Sequence, residues 1–528
     1  MQKLHLIIAT FLLSLIVPVS GFSQSAAEIM DLDPEVFADM LGLRPYLSKG
    51  RNDGLASMLR TLQNRIRFML LKQEGEEEEE EGYNEDGSEA SVAETEVATT
   101  ATTAKKAEAD EAAAAGKKVA LLLSGGVDSS VALRLLLDEG YDVTAYYLRI
   151  WLEDELAHLG VCPWEDDYDY CRQVCQQAGV QLNTVSLQSE YRDRVISYTV
   201  EEAGRGRTPN PDIMCNSRIK FGCFYDAIDE GGASKYDYVA SGHYARVERD
   251  GDGVDGDSGA VHLYRAPDPV KDQSYFLCAL TQDQLRRAMF PLGRLLKSEV
   301  RELANRYELP NRDRPDSQGL CFLGKVKFEE FLRAYLGEEP GDVVDADTGD
   351  VIGRHRGLWY HTVGQRKGIG KALHPTATSR GPWYVVGKDP AANLVLCSNE
   401  YDRSIFEAAR SQIAVESVRW IAGSPPPGGR RLRLAMKIRH GPKIVEGWLT
   451  LRDGDEDGGD NGMEGDVELD EKDGGLAPGQ YVAFYSIDGS AECLGGGVIS
   501  ERQWTKFLLD EDRSRNAQED TPTAATAP

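Results

Sequence analysis

The chain has 528 residues, is 41% hydrophobic and 28% charged, and carries a formal net charge of −28. That length calls for several domains of ordinary soluble composition, and nine scattered cysteines exclude a disulfide-stapled secreted module and fit a reducing compartment. A charge of −28 has the wrong sign for a nucleic-acid binder. The acids, however, are concentrated: residues 1–115 hold 10 Lys/Arg against 21 Asp/Glu, and residues 453–473 hold one Lys against eleven acids. With these stretches, residues 250–257 and the tail from Asp510 set aside, the remainder is close to neutral, which leaves room for a basic face.

Residues 1–24 read as a signal-peptide-like leader: Lys3, an apolar run from Leu6 to Val17, and small residues at Val19-Ser20-Gly21. The apolar run is too short for a membrane span. A leader on a thiol-bearing intracellular body fits a two-part plastid import sequence, with Phe22 as its aromatic; the mitochondrion is the alternative destination, and a misassigned gene start is the bland one. Residues 25–116 read as a transit segment and acidic low-complexity linker: the amphipathic spacing of Leu55–Leu71 allows a helix or two over Ala26–Gln73, and from Glu76–Glu81 to Gly116 the stretch is a solvated linker.

From Lys117 strand and helix patterns alternate. Val119–Leu123 is a wholly apolar strand, and Ser124-Gly125-Gly126-Val127-Asp128-Ser129-Ser130 follows it into a helix over Val131–Leu137. A strand, a glycine turn and a helix start make an anion cradle of unpaired amides. Asp128 is placed to hold Mg²⁺ beside a phosphate. GxxxxGK[ST] is absent, which excludes a γ-phosphate-transferring P-loop. Further strands are expected at Val143–Ile150, Gln181–Val185 and Tyr238–Ser241, and helices at Asp167–Gln177, Tyr191–Ala203 and Ile219–Ile228. The fold class is therefore α/β, a doubly wound parallel sheet that binds ligands at the carboxyl ends of its strands.

Thr208–Phe221, TPNPDIMCNSRIKF, is the second chemical stretch. Pro209 and Pro211 shape a loop, and Cys215 falls near the start of the expected helix, with Arg218 and Lys220 close by. A helix start and cations both favour a thiolate, and Asp212 could serve as general acid or base; a half-buried structural cysteine is the other reading. Gly242-His243 ends a strand where backbone could meet an adenine or ribose, or the histidine could be a core residue. Lys271-Asp272-Gln273 reads as a phosphate- or base-facing triplet, or a solvated loop. Cys321 lies between a polar turn and an apolar pair, and with Cys215 it could pass sulfur if the fold brings the two together. His158, Cys162, Cys171 and Cys175 match no zinc spacing, and core packing explains the last two better. Residues 326–404 shift towards strands and glycine turns, with a basic loop at His361–Lys371. Residues 405–505 show short alternating runs at Val415–Trp420, Arg431–Arg439, Val445–Leu451, Tyr481–Tyr485 and Gly497–Ile499, which predict a β-barrel with the acidic 453–473 stretch as a loop and a tail from 506.

SGGVDSS resembles the PP-loop of the ATP pyrophosphatases (adenine nucleotide alpha hydrolase-like), which adenylate a substrate. With GRTPNPDIMCNSRIKFG, SGHYAR, KDQSYFL, FPLG, DSQGLCFLG, YHTVGQRKGIG and CLGGGVI in that order, the chain from Val119 to Ile499 is similar to the tRNA-specific 2-thiouridylases (the MnmA/TrmU family). CPWEDD and WYVVGKD look most like the plant and algal organellar branch. The resemblance implies a PP-loop domain over 117–325, a central tRNA-binding domain and a C-terminal β-barrel. It implies ATP and Mg²⁺ use, thiolation of wobble uridine in tRNA of the Glu, Gln and Lys type, and a cysteine desulfurase or sulfur-relay donor. Ser124–Ser129, Leu148 and Gly242 would hold ATP; Asn210, Pro211, Asp212 and Lys271–Gln273 would contact tRNA. Cys321 would carry the persulfide and Cys215 would help release its sulfur, leaving a Cys215–Cys321 disulfide. Leu122-Leu123 stands where many relatives have Gly-Met, and Arg439-His440 where they have Arg-Tyr. An amidating PP-loop synthetase would need an ammonia source that the chain does not show, and a non-catalytic tRNA binder would not need Asp128, Ser129 and both cysteines.

Overall fold

The structure, a computed structural model, describes residues 116–150, 164–229, 234–250, 259–316, 326–369, 372–399, 411–452 and 462–500. The leader, the low-complexity linker up to residue 115, His158, Cys162, Cys321 and the tail lie outside the described residues.

The apolar run after Lys117 forms β1 (Lys118–Leu122), followed by helix α1 (Val127–Asp138), β2 (Asp142–Arg149), α2 (Trp164–Ala178) and β3 (Leu182–Ser186). Helix α3 runs through Gln188–Tyr191, a π-type stretch Arg192–Ile196 and Ser197–Gly204. Helix α4 runs through Pro211–Met214, a π-type stretch Cys215–Cys223 with a kink at Phe221, and Phe224–Ile228. Strands β4 (Tyr238–Ser241), β5 (Ala245–Arg249) and β6 (Val261–Arg265) follow, then α5 (Gln282–Arg287), β7 (Ala288–Met289) and α6 (Lys297–Arg306). One parallel sheet has the order β3-β2-β1-β4-β7. Alternation along β1 feeds two cores, as a strand buried on both faces must. Val119 and Leu121 join Val131, Leu133 and Val174 of α1 and α2, while Ala120 and Leu122 join Val195, Ile219 and Phe224 of α3 and α4. The expected doubly wound sheet is present, with its order reversing between β1 and β4.

After α7 (Phe328–Leu336), strands β8 (Gly341–Asp345), β9 (Val351–His355), β10 (Tyr384–Asp389) and β11 (Leu394–Ser398) form a sheet in the order β10-β11-β8-β9, around Val343, Trp383, Val385 and Val395. The last part is a closed six-stranded barrel. Its strands β12 (Gln412–Trp420), β13 (Arg431–Lys437), β14 (Val445–Leu451), β15 (Met463–Leu469), β16 (Tyr481–Tyr485) and β17 (Glu492–Ile499) run in the order β12-β15-β14-β13-β16-β17, and β12 pairs back to β17.

One expectation needs correction here. The acidic 453–473 stretch is not wholly a loop: its second half is β15, where Gly465, Val467 and Leu469 are buried and Glu464, Asp466 and Glu468 are not. Charge on alternate positions is what a half-buried strand carries on its wet face, and net charge masked that period. The barrel sheet also continues into an earlier part of the chain. Tyr264 and Leu263 of β6 pair with Glu492 and Cys493 of β17, so the β5–β6 hairpin of the first region is annealed to the barrel sheet.

Candidate active site

The cradle forms at the carboxyl end of β1, at the switch point of the sheet. Gly125 has φ of +76° and packs against the backbone of Asp167, two conditions that a side chain would violate. Ser124 Oγ and Ser129 Oγ lie 3.1 Å apart, and the Ser129 and Ser130 hydroxyls donate to the Gly126 carbonyl at 3.1 and 3.0 Å. The amides of Val127, Asp128 and Ser129 precede the helical ladder of α1 and face outward with the positive end of its dipole. Gly242, just after β4, lies so close to this turn that a Cβ there would sit 2.8 Å from the Ser129 amide nitrogen. Leu148, near the end of β2, is partly buried beside the same core. Sequence-expected Ser124–Ser129 and Gly242 are thus brought together, with Leu148 on the neighbouring strand.

Helix α4 begins at Pro211, earlier than the sequence indicated. The Asn210 side chain accepts from the Ile213 amide as N-cap, and proline at the first helical position loses no bond there. Cys215 therefore sits in the second turn, 1% exposed, with its own amide bonded to the Asp212 and Pro211 carbonyls. The expected activation at a helix start is not what the fold provides. Arg218 donates to the Arg194 carbonyl and lies over the Tyr198 ring, and Lys220 donates to Asn216 Oδ1 at 3.0 Å. Asp212 and Cys215, three residues apart, share a face of the helix. Burial pushes the Asp212 carboxyl above its ordinary range, opposed by Lys220, so it keeps a proton to higher pH than a surface aspartate. His243 accepts or donates at Ser241 Oγ, 2.8 Å away, and packs on Phe221 and Phe290. Burial, then Lys220, holds it well below its ordinary pKa, so it is neutral.

Lys271, Asp272 and Gln273 do not form a solvated triplet. Asp272 is 1% exposed and takes Lys437 Nζ at 2.6 Å, the Ser274 hydroxyl at 2.8 Å and the Ala266 amide at 3.2 Å. Gln273 accepts from the Tyr244 amide at 3.0 Å, and Lys271 pairs with Asp316 at 2.5 Å. Lys271 and Gln273 stay partly exposed while Asp272 is buried, so the expectation that Asp272 faces a ligand gives way to an internal ion pair. Cys171 and Cys175 are buried in α2 as core residues; burial pushes the Cys175 thiol up to about 11.

The sequence reading missed the partners of the cradle. Asp128 Oδ1 accepts from Lys297 Nζ at 2.6 Å and from the Tyr244 hydroxyl at 2.9 Å. Lys297 also reaches Asp316 at 2.9 Å, and Arg301 pairs with the same carboxylate. Burial raises the Asp316 pKa, but hydrogen bonds from Lys271 and Lys297 outweigh it and hold the group well below the usual carboxylate range. Asn311 donates to the Gly125 carbonyl at 2.8 Å and Ser130 Oγ at 2.9 Å, and Arg314 donates to Gly125 as well. Asn311, Arg314 and Asp316 gave as sequence signal only the polar run after α6, NRDRPD, which lacks any periodicity of its own, while Tyr244 lies in the SGHYAR motif.

Three family models match the chain: the tRNA methyl transferase HUP domain over residues 117–325, the tRNA methyl transferase PRC-barrel domain over 329–399 and the aminomethyltransferase beta-barrel domain over 410–499. The tRNA-specific 2-thiouridylase MnmA of Parabacteroides distasonis is 42% identical over 387 residues, covering 72% of this chain and 98% of the relative. That of Porphyromonas gingivalis is 42% identical over 388 residues, covering 72% and 99%. The chain belongs to the tRNA-specific 2-thiouridylase family. A Bacteroides thetaiotaomicron member is 38% identical over 383 residues, again with 72% of this chain and 99% of the relative covered.

Within this 2-thiouridylase fold, His440 stacks on Phe276 with ring centroids 4.9 Å apart, and Arg439 pairs with Asp473 at 3.1 Å. Arg366 and Lys367 of the basic loop are exposed, while His361 is buried and pushed down to about 4 by that burial and by His355.

Proposed function

We propose that this protein makes 2-thiouridine at the wobble position of tRNA, using ATP to activate the uridine C2 oxygen and a cysteine persulfide to replace it. The observation that carries this reading is membership of the 2-thiouridylase family in a chain whose α4 face pairs Asp212 with Cys215 in the same domain as an intact SGGVDS cradle.

The chemistry follows from the groups present. Ser124, Ser129 and the first amides of α1 would bind the ATP phosphates, with Leu148 and Gly242 beside the nucleoside. Mg²⁺ commonly needs only one or two protein carboxylates beside phosphate oxygens. The described residues contain no cluster of three metal-binding side chains, and Asp128 at the cradle fits that spare demand; the ion would screen the phosphate charge. The uridine C2 oxygen attacks the α-phosphorus, pyrophosphate leaves, and the base becomes an adenylate with AMP as leaving group. Asp212, protonated to higher pH than usual, would exchange a proton with the flipped base. The terminal sulfur of a Cys321 persulfide attacks C2 and the C2–O bond to AMP breaks. The Cys215 thiolate then attacks Cys321 Sγ, leaves the sulfur on uridine and closes a Cys215–Cys321 disulfide, which an external dithiol must reduce. A cysteine desulfurase or sulfur-relay protein would supply the persulfide. The tRNA set would be that for Glu, Gln and Lys, with Asn210, Pro211 and Lys271 at its anticodon loop. The leader would deliver the enzyme to a plastid, which a fluorescent fusion of residues 1–116 would test.

The deciding experiment incubates the protein with ATP, Mg²⁺, desulfurase, cysteine and unmodified tRNA, and measures 2-thiouridine by nucleoside mass spectrometry. Product from wild type but from neither Cys215→Ser nor Cys321→Ser is the expected result. Wild type that adenylates tRNA without transferring sulfur would refute the two-cysteine route and leave the PP-loop role standing.

A further inference from the structure

The approach to α4 is a loop. Residues 207–210 lie outside any helix or strand. Pro209 and Pro211 have no amide hydrogen to offer, so this segment cannot build an internal hydrogen-bond ladder. The Arg207 amide donates back to the Glu202 carbonyl of α3 at 3.0 Å and the Thr208 hydroxyl meets Thr362 at 3.4 Å, but the backbone groups of Thr208 and Pro209 are met from the far end of the chain. The Thr208 amide donates to the Pro478 carbonyl at 2.7 Å. Gln480 Nε2 donates to the Thr208 carbonyl at 3.0 Å and to the Pro209 carbonyl at 3.2 Å. Between them Gly479, at φ of +89°, is close enough that a Cβ would lie 3.0 Å from both the Thr208 nitrogen and its oxygen. Asn210 is reached from the same barrel through one intermediary: its amide donates to the Tyr275 hydroxyl at 3.4 Å, which donates to the Tyr481 carbonyl at 3.1 Å.

From this we infer that the barrel turn at Pro478–Gln480 is a positioning device for the first region's chemistry, with Gln480 as the positioning residue for Asp212 and Cys215. The inference rests on the reaction proposed above and deepens it. Gln480 needs no contact with the reacting atoms. Its two hydrogen bonds settle where Asn210 caps α4, and the cap determines where the first turn begins and hence where Asp212 and Cys215 point. Misplacing a reacting group by an ångström costs orders of magnitude in rate, so a donor that holds two loop carbonyls acts far more on turnover than on tRNA capture, whose affinity comes mostly from phosphate contacts elsewhere.

The test uses the full-length protein as Gln480→Ala, which removes both donors, and as Gly479→Ala, which pushes the turn off Thr208 without altering any polar side chain. Three quantities are read: kcat for thiouridine formation, tRNA Kd by filter binding, and amide hydrogen exchange of the 207–216 peptide without tRNA. The expected result for both variants is a fall in kcat of about tenfold or more, a tRNA Kd within about twofold of wild type, and exchange in that peptide faster by about tenfold. Unchanged exchange in 207–216 overturns the inference, and so does a loss of tRNA affinity large enough to account for the loss of rate. The exchange measurement needs no activity. If wild type makes no thiouridine, the proposed reaction falls while exchange still decides whether the barrel holds this loop.

Discussion

Asp128 shows what single residues contribute and what a local motif hides. A carboxylate in an anion cradle repels the phosphates the cradle is built to attract, unless a cation stands beside it. Lys297, 15% exposed and shared between Asp128 and Asp316, is that cation. Lys297→Met leaves Asp316 with Lys271 and Arg301 but takes from Asp128 its paired cation, so the Asp128 charge then opposes anion binding in the cradle. ATP affinity measured by calorimetry is expected to weaken by about tenfold, equivalent to about 1.4 kcal/mol, with the far-UV spectrum unchanged; affinity equal to wild type would remove Lys297 from the site. The cradle residues were legible because they are contiguous. Lys297, 169 residues further on, was not, because a lysine at the first position of an amphipathic helix looks like any solvated one. Asp272 was misread for the same reason: nothing near KDQ announces that Lys437, 165 residues away, will neutralise it.

Among the elements, α4 was anticipated but misplaced by two turns. The apolar run from Ile219 drew the boundary, whereas the start is set by Asn210 and Pro211, a cap and first-position pair that the two prolines disguised as loop. Asn210→Ala removes the N-cap acceptor and the donor to Tyr275. It is expected to cost about 1 kcal/mol of stability in urea denaturation and to lower thiouridine formation by more than that loss explains, since Asp212 and Cys215 ride on the same turn. A stability loss with full activity would show that the cap is structural only. β15 was hidden by the opposite confusion, since eleven acids in residues 453–473 obscured a two-residue period in which Val467 and Leu469 point inward.

At the level of the whole molecule, the barrel and the α/β region are joined by buried charge and shared strands. Lys437 and Asp272 are both fully buried at their charged ends. Lys437→Met leaves the buried Asp272 carboxylate with Arg265, at the longer distance of 3.4 Å, as its cation, and is expected to destabilise the protein by about 3 kcal/mol, whereas Lys437→Met with Asp272→Asn recovers much of this, because a poorly compensated buried charge costs more than a neutral pair. Denaturant midpoints of the single and double variants check the difference. At the β6–β17 seam, His262 lies between Glu492 at 2.6 Å and Asp250 at 3.1 Å. The hydrogen bond with Glu492, and then that with Asp250, raise its pKa above the ordinary 6.5 against the opposing effect of burial. The folded state therefore holds this proton more tightly than the unfolded chain. The stabilisation is complete below pH 6.5 and is lost as pH rises through the raised value. Thermal midpoints of wild type should fall relative to His262→Gln across that window, and parallel curves would refute the seam's pH dependence.

The sequence by itself determined what depends on near neighbours: the parallel strands from their apolar runs, the cradle from seven consecutive residues, the motif order that places the chain among the 2-thiouridylases, and the strand-rich character of the C-terminal region. Tertiary structure decided which cation answers Asp128, that Asp272 is buried, and that the barrel turn fastens the loop before α4. Each of these is a pairing between groups far apart along the chain. Such pairings are set by how the sheets close and pack, and local periodicity carries no record of them.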